Sequence, residues 1–468
     1  MTEQSIPVFA IVGHPNEGKS SVVSTLTEND RIGISPFPGE TIRNERFSLK
    51  IDQQTIIQFV DTPGFQNPSR TLSWFQSSGL TGVEAVSAFR EAHASSPAFD
   101  HDCELLEPLS RGAGILFVAD ASRPVSQSDR EEMEILRLIG NPRMAILNPK
   151  SDRERFLDDW KNAFRQTFNA IRSFDACKAN FENRIDLLEA LKSIEQDWSP
   201  QLEYAIKRLR EERERKTWLC VDIACELLER SLGLKLSKLT SRESDAKKAQ
   251  SELEMKYRER LASIEQQSWN RLLSEFGHSK LSLSAPENEL LSEDLFSDQT
   301  WQALGLTRKQ LAIAAAGLGA GVGAGLDLAL GGIAFGVFTA TAAATVAGAA
   351  LFKGKELARM KIKRIPLGSY KVRVGPNRNE QFPYILLDRF LMFHRAVAKR
   401  SHARQDREAR LDDEQAKQGV CSQWSSDRRS LYARVFKAMR SERGDSLEKL
   451  RNDFRKLLFD SLNEEPST

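Results

Sequence analysis

Gly13-His14-Pro15-Asn16-Glu17-Gly18-Lys19-Ser20 matches the pattern Gly-x-x-x-x-Gly-Lys-Ser/Thr without a gap. The run follows an apolar strand-like stretch, Val8–Val12, and opens a segment with apolar residues at Val22, Val23 and Leu26. A glycine-rich loop between a strand and a helix is the context in which backbone N–H groups wrap a chain of phosphates. The glycines let those N–H groups turn inward, and the dipole of the helix that starts at Lys19-Ser20-Ser21 favours a negative charge there. Lys19 is expected to reach the β- and γ-phosphates, and the Ser20 hydroxyl to bind Mg²⁺.

Outward from this loop, short apolar runs alternate with amphipathic stretches as far as about Trp198. Pro7–Val12, Thr55–Val60, Gly114–Ala119, Met144–Leu147 and Ala170–Phe174 read as strands. Helical stretches start near Lys19, Ser126, Arg153 and Ile185. Strand–helix alternation predicts an α/β domain, a mostly parallel sheet with helices on both faces. The stretch Phe65 to Arg111 is too long for a simple connection and is expected to carry helices of its own. Asp61-Thr62-Pro63-Gly64 closes the second of these runs. A carboxylate there lies at the C-terminal end of a strand, where open α/β sheets bind ligands, and is expected to contact Mg²⁺ through water. The Gly64 N–H is placed to sense the γ-phosphate.

With its loop written Gly-x-Pro-Asn-x-Gly-Lys-Ser and its Asp-Thr-Pro-Gly turn, the chain resembles translation-factor-class bacterial GTPases over about residues 6–198. The Era-like and tRNA-modification group is the most similar. The resemblance implies a P-loop GTPase that binds guanine nucleotide with Mg²⁺ and hydrolyses GTP. It implies that Thr41, in Gly39-Glu40-Thr41-Ile42-Arg43, closes on the metal with Ser20 and Asp61. It also implies that Asn16 binds K⁺ beside the phosphates, the alternative being that Asn16 hydrogen-bonds its own loop. Two departures stand out. Phe65 occupies the place where signalling GTPases carry a water-orienting glutamine, so an activating protein or a second copy of the chain is the expected source of help. The base-recognition motif is written Asn148-Pro149-Lys150-Ser151-Asp152, one residue longer than Asn-Lys-x-Asp. Asp152 either faces the guanine edge or caps a helix beginning near Arg153. Asp175-Ala176 lies where the family places its last base-contacting loop.

Beyond residue 200 the chain changes character. Residues 201–310 are rich in Arg, Lys, Glu and Leu, and the mixed charges of Lys207–Lys216 read as the solvated face of a long helix. Leu311–Phe352 holds a single charge, Asp327, among Ala, Gly and Thr, and six basic residues follow between Lys353 and Arg364. With Gly331-Gly332 as a turn it predicts a helical hairpin whose arms, Leu311–Leu330 and Ile333–Phe352, match a bilayer's thickness. Gly317, Gly321 and Gly325 give it GxxxG spacing, and the basic flank obeys the positive-inside rule. The expected location is therefore the cytoplasmic face of the inner membrane, with lipid as a partner; a soluble buried hairpin is the alternative. Residues 353–468 read as mainly helical, with a short strand at Tyr370–Val374. Gly375-Pro376-Asn377 and Phe382–Arg389 resemble the signature of a C-terminal domain of unknown function found fused to such GTPases.

Composition narrows the classes. Of 468 residues, 67 are Lys or Arg and 65 Asp or Glu, so there is no global nucleic-acid footprint. Nor does the C-terminal half hold a GxxG-type RNA-binding loop. Five cysteines without CxxC spacing argue against a disulfide framework or a zinc site. The polar Met1–Ser5 predicts no signal peptide. The leading expectation is a GTP-hydrolysing switch read out by a membrane-associated C-terminal half. Its rivals are a nucleotide-binding membrane scaffold with little turnover, an ATP-using kinase, and a soluble GTPase acting on RNA or protein.

Overall fold

The computed structural model describes residues 6–29, 41, 43–149, 155–278, 295–296, 304, 338–341, 361–362, 365–366, 370–403, 419–441 and 447–463. The chain divides into two units. The first is Met1–Arg215 with Gly277–Lys280 and Lys399–Arg407; the second is Lys216–Phe276, Leu281–Ala398 and Glu408–Thr468.

The first unit is built on six strands: β1 (Val8–Val12), β2 (Glu45–Ile51), β3 (Gln54–Asp61), β4 (Gly114–Ala119), β5 (Arg143–Leu147) and β6 (Ala170–Ser173). Their order in the sheet is β2-β3-β1-β4-β5-β6. Only the β2–β3 pair is antiparallel; β1–β3, β1–β4, β4–β5 and β5–β6 run parallel. Between the strands lie α1 (Lys19–Thr27), α2 (Pro68–Ser78), α3 (Gly82–Ala92), α4 (Asp100–Ser110), α5 (Gln127–Ile139), α6 (Leu157–Arg165) and α7 (Phe181–Lys192). Successive strand residues point to opposite faces, and both faces are covered. Phe9 and Ile11 pack with Val22, Leu26, Ile185 and Leu188 on one side. Ala10 and Val12 pack with Phe75, Val86, Leu105, Leu136 and Trp160 on the other. Burial on two faces is why β4 is apolar throughout rather than alternating.

Three helices, α2, α3 and α4, occupy the long connection from Phe65 to Arg111, as its length predicts. Strand β2 was not anticipated. It pairs with β3 through a two-residue turn whose members, Asp52 and Gln53, both have positive φ (49° and 65°). That is the twist-matched hairpin geometry, built without the usual Asn-Gly. Helix α6 begins at Leu157 with Phe156 as its N-cap. The helix starts four residues later than the expected Arg153, and Asp152, the subject of both alternatives, lies outside the described residues.

Helix α8 (Ser199–Gly233) carries the chain from the first unit into the second. Its exposed charges pair along the helix, Arg208 with Glu211 at 2.7 Å and Arg215 with Glu212 at 2.7 Å. The second unit continues with β7 (Leu236–Thr240) and α9 (Glu243–Glu275). After these come α10 (Phe382–Ala398), α11 (Ser426–Ser441) and α12 (Leu447–Asn463). Helix α10 is buried on nearly every side, as a helix apolar all round must be. Its buried Arg389 forks onto Glu265 of α9 at 2.6 and 3.1 Å and lies 5.4 Å from the Trp269 ring. Its neighbour Asp388 accepts the Cys421 N–H at 2.7 Å.

The hydrophobic hairpin expectation needs correction in its second arm. Phe338–Thr341 is a strand, β8, paired antiparallel with the middle strand β9 (Tyr370–Val374), whose other neighbour is β7. An arm from Ile333 to Phe352 is thus not one uninterrupted helix. Among the described residues no helix is long and apolar enough to cross a membrane. The rest of Leu311–Phe352 lies outside the described residues.

Candidate functional site: a phosphate cradle on the parallel sheet

The loop from β1 to α1 is glycine-dependent at both ends. Gly13 has φ 144°, and a Cβ there would stand 2.2 Å from the Val118 carbonyl oxygen of β4. Gly18, with φ 88°, is the N-cap of α1 and has no side chain to satisfy the first N–H groups of the helix. Those N–H groups are left for a ligand, and an anion suits them. Lys19 Nζ donates to the carbonyls of Gly13 at 3.0 Å and His14 at 3.2 Å, which holds the ammonium across the loop. Ser21 is buried behind it in the first turn of α1. Pro15 packs on Gly64, where a Cβ would stand 2.8 Å from Pro15 Cδ, so the Asp-Thr-Pro-Gly turn lies against the cradle. Thr62 ties this turn to β1 by donating to the Ile11 carbonyl at 2.7 Å.

Ser20 and Asp61, the expected metal ligands, meet at the start of α1 and the end of β3. Ser20 Oγ donates to Asp61 Oδ2 at 2.6 Å. Asp61 is 3% exposed, and its Oδ1 is buried without a hydrogen-bond partner. Burial pushes its carboxyl up, opposed by the Ser20 hydroxyl and the nearby Lys19 charge. A buried carboxylate oxygen without a donor is costly unless a cation or its water shell completes it. Hydroxyl and carboxylate oxygens are the donors that Mg²⁺ takes, so the residues present fit that ion. Thr41, the third expected ligand, is half-buried. Residues 30–40 and 42 around it lie outside the described residues.

Asn148, from the expected base-recognition motif, is a bolt. Its Nδ2 donates to the Glu17 carbonyl at 3.0 Å, and its Oδ1 accepts the Ala176 N–H at 3.0 Å. The expected motif residue thus joins the phosphate loop to the Asp175-Ala176 loop after β6. Asp175 Oδ1 stiffens that loop by accepting the N–H groups of Cys177 and Lys178 at 3.0 and 3.2 Å.

Two partnerships of the phosphate loop were not foreseen. Glu17, 3% exposed, accepts Arg123 Nε at 2.6 Å and the Asp120 N–H. Arg123 in turn forks onto Asp129 at 2.6 and 2.7 Å and lies 5.1 Å from the Trp160 ring. The capping box Ser126-x-x-Asp129 at the start of α5 was the readable trace of this network. The second partnership joins His14 Nδ1 and Glu132 Oε1 of α5 at 3.4 Å. The bond to Glu132 raises the His14 pKa.

The residues Lys399–Arg407, which follow α10, belong to this unit. Ser401 Oγ donates to the Ala176 carbonyl, which also accepts Thr25 Oγ1 at 2.8 Å. Ser24 Oγ donates to the His402 carbonyl at 2.9 Å, and Ala403 is buried in the apolar layer.

Comparison with known proteins agrees with this geometry. Residues 8–149 match the family described as "50S ribosome-binding GTPase". The GTPase Era of Clostridioides difficile (strain 630) is 28% identical over 139 residues, which cover 30% of this chain and 38% of the relative. The tRNA modification GTPase MnmE of Petrotoga mobilis is 26% identical over 180 residues, covering 37% and 34%. The chain spans little more than a third of either relative's length. Among solved structures, a variant of Aquifex aeolicus Era bound to GDP and AlF4⁻ covers 58% of this chain and 90% of its own, at 18% identity and a TM-score of 0.28. Residues 161–460, well over half of the chain, match "Domain of unknown function (DUF3482)". The chain is a P-loop GTPase domain homologous to Era and MnmE, fused to a helical C-terminal half, and it belongs to the DUF3482 family.

Proposed function

We propose that the chain is a Mg²⁺-dependent, GTP-hydrolysing switch whose nucleotide state is passed to its C-terminal half. The observation that carries the reading is the metal corner: Ser20 Oγ at 2.6 Å from Asp61, with Asp61 Oδ1 unpartnered, beside the uncapped start of α1. Lys19 and the first N–H groups of α1 hold the β- and γ-phosphates, Ser20 and Asp61 hold the metal, and Thr41 closes over it. Mg²⁺, when bound, draws charge from the phosphate oxygens that become more negative as the bond to the γ-phosphate breaks. Phe65 is 4% exposed in an apolar layer and offers water no polar atom. Hydrolysis is therefore slow unless a further cation assists, and Asn16 is the K⁺ ligand in this reading. Guanine is preferred over adenine on the strength of the family match, with Asp152 facing the base edge.

Ala176 gives the switch its outlet. It sits in the loop after β6, and its carbonyl accepts the Ser401 hydroxyl, three residues past the end of α10. A second reading, attachment of Leu311–Phe352 to a membrane, rests on the composition of that stretch, and strand β8 weakens it. Liposome flotation with and without GTP tests it; a chain that never floats has no such attachment.

Single-turnover hydrolysis by the full chain tests the main reading. GTP should be cleaved with Mg²⁺ and not with EDTA, and faster in KCl than in NaCl at equal ionic strength. No cleavage with Mg²⁺ leaves a nucleotide-binding scaffold, and equal rates in the two salts remove K⁺.

A further inference from the structure

Helix α4, in the long connection after the Asp-Thr-Pro-Gly turn, reaches two segments at once. Asp102 is fully buried. Its Oδ1 accepts the Gln66 N–H at 2.8 Å, and its Oδ2 accepts the Thr71 hydroxyl at 2.6 Å. Two residues along the helix, Glu104 Oε1 accepts the Asn44 N–H at 2.8 Å, and the Glu104 carbonyl accepts Asn44 Nδ2 at 2.6 Å. One turn further, Glu107 pairs with Arg46 at 3.2 Å. Gln66 is two residues past Gly64, and Asn44 is three past Thr41. A single helix therefore holds the chain just past both of the segments, at Thr41 and at Gly64, that the GTPase reading sets against the γ-phosphate.

We propose that Asp102 and Glu104 are positioning residues for GTP hydrolysis, through which α4 ties the segment after Thr41 to the segment after Gly64 so that both seat on the nucleotide together. The inference rests on the GTPase reading above. Thr62 and Pro15 hold the turn on the side before and at Gly64, and Asp102 holds the chain just past it through Gln66 and Thr71. A buried carboxylate with a donor on each oxygen is a stiff anchor, because losing it strands both donors away from water. Displacement of either segment loads α4 and, through it, the other.

The test compares the full chain with Asp102→Asn, Glu104→Gln and, as an exposed control on α5, Arg137→Ala. Both α4 variants should bind GTP within about threefold of the wild type. Their single-turnover rates should fall by at least about tenfold, since misplacement and not binding is what changes. Hydrogen exchange of GTP-bound Asp102→Asn should quicken in peptides covering residues 43–46 as well as 65–71, although Asp102 touches only the latter. Thr71→Val, which removes only one donor, should give a smaller fall of the same pattern and serves if Asp102→Asn does not fold. Unchanged turnover, or exchange that quickens at 65–71 alone, overturns the proposal. A wild-type chain that binds no GTP overturns the GTPase reading together with it, which separates the two failures.

Discussion

Lys19 lies across its loop, bonded to the carbonyls of Gly13 and His14. A triphosphate entering the loop takes over that ammonium as a charge-assisted partner, a contact worth roughly 1.5–3 kcal/mol. Lys19→Ala should weaken GTP binding by at least about tenfold, read by titration calorimetry; unchanged affinity would place the phosphates elsewhere. His14 makes a second residue-scale prediction. The Glu132 bond raises its pKa above the ordinary 6.5; desolvation and the Arg123 charge oppose the rise, and Asp129 assists it. A histidine raised in the folded state stabilises fully below its unfolded pKa and loses that contribution as pH rises through the folded value. His14→Ala should therefore lower the melting temperature more at about pH 6 than at about pH 8.5. Equal losses at both would mean that the pair carries no charge. The backbone-driven part of the site was legible, because a turn with positive φ needs glycine and the chemistry needs lysine beside it. The roles of Glu17 and Asn148 were not, because their partners Arg123 and Ala176 lie far along the chain.

Elements were legible in proportion to their periodicity. Strands β1, β3, β4, β5 and β6 and the helices after them stand out as apolar runs and amphipathic stretches. Strand β2 was hidden among charges, although Phe47, Leu49 and Ile51 alternate at the spacing of a one-faced strand. Strand β8 was hidden differently: an Ala/Gly run has no period to read, and what makes Phe338–Thr341 a strand is pairing with the distant Tyr370–Val374. Helix α10 carries its own prediction. Arg389 and Glu265 are both buried, 2% and 5% exposed. Arg389→Ala should cost about 3–5 kcal/mol by leaving the carboxylate unpaired. Joint replacement, Arg389→Met with Glu265→Gln, should recover much of that loss. Chemical denaturation compares them, and a double variant no more stable than Arg389→Ala would show that the charges are not the cause.

At the scale of the whole molecule the chain joins a nucleotide-binding sheet to a helical unit that has its own core around α9, α10, α11 and α12. The α/β character of the first unit was readable because its phosphate loop, strand–helix alternation and turn chemistry agree with one another, while the return of Lys399–Arg407 to it was not. The second was readable only as helical, since long mixed-charge helices can pack in many ways and their sequence names no ligand. The central claim is that the cradle selects guanine nucleotide with Mg²⁺. It is tested most directly by measuring the affinity of the full chain for GTP and for ATP in the presence of Mg²⁺. The account predicts GTP binding at least about a hundredfold tighter, because a site built to bond the guanine edge leaves polar groups unpaired with adenine. Equal affinity for the two nucleotides would contradict it.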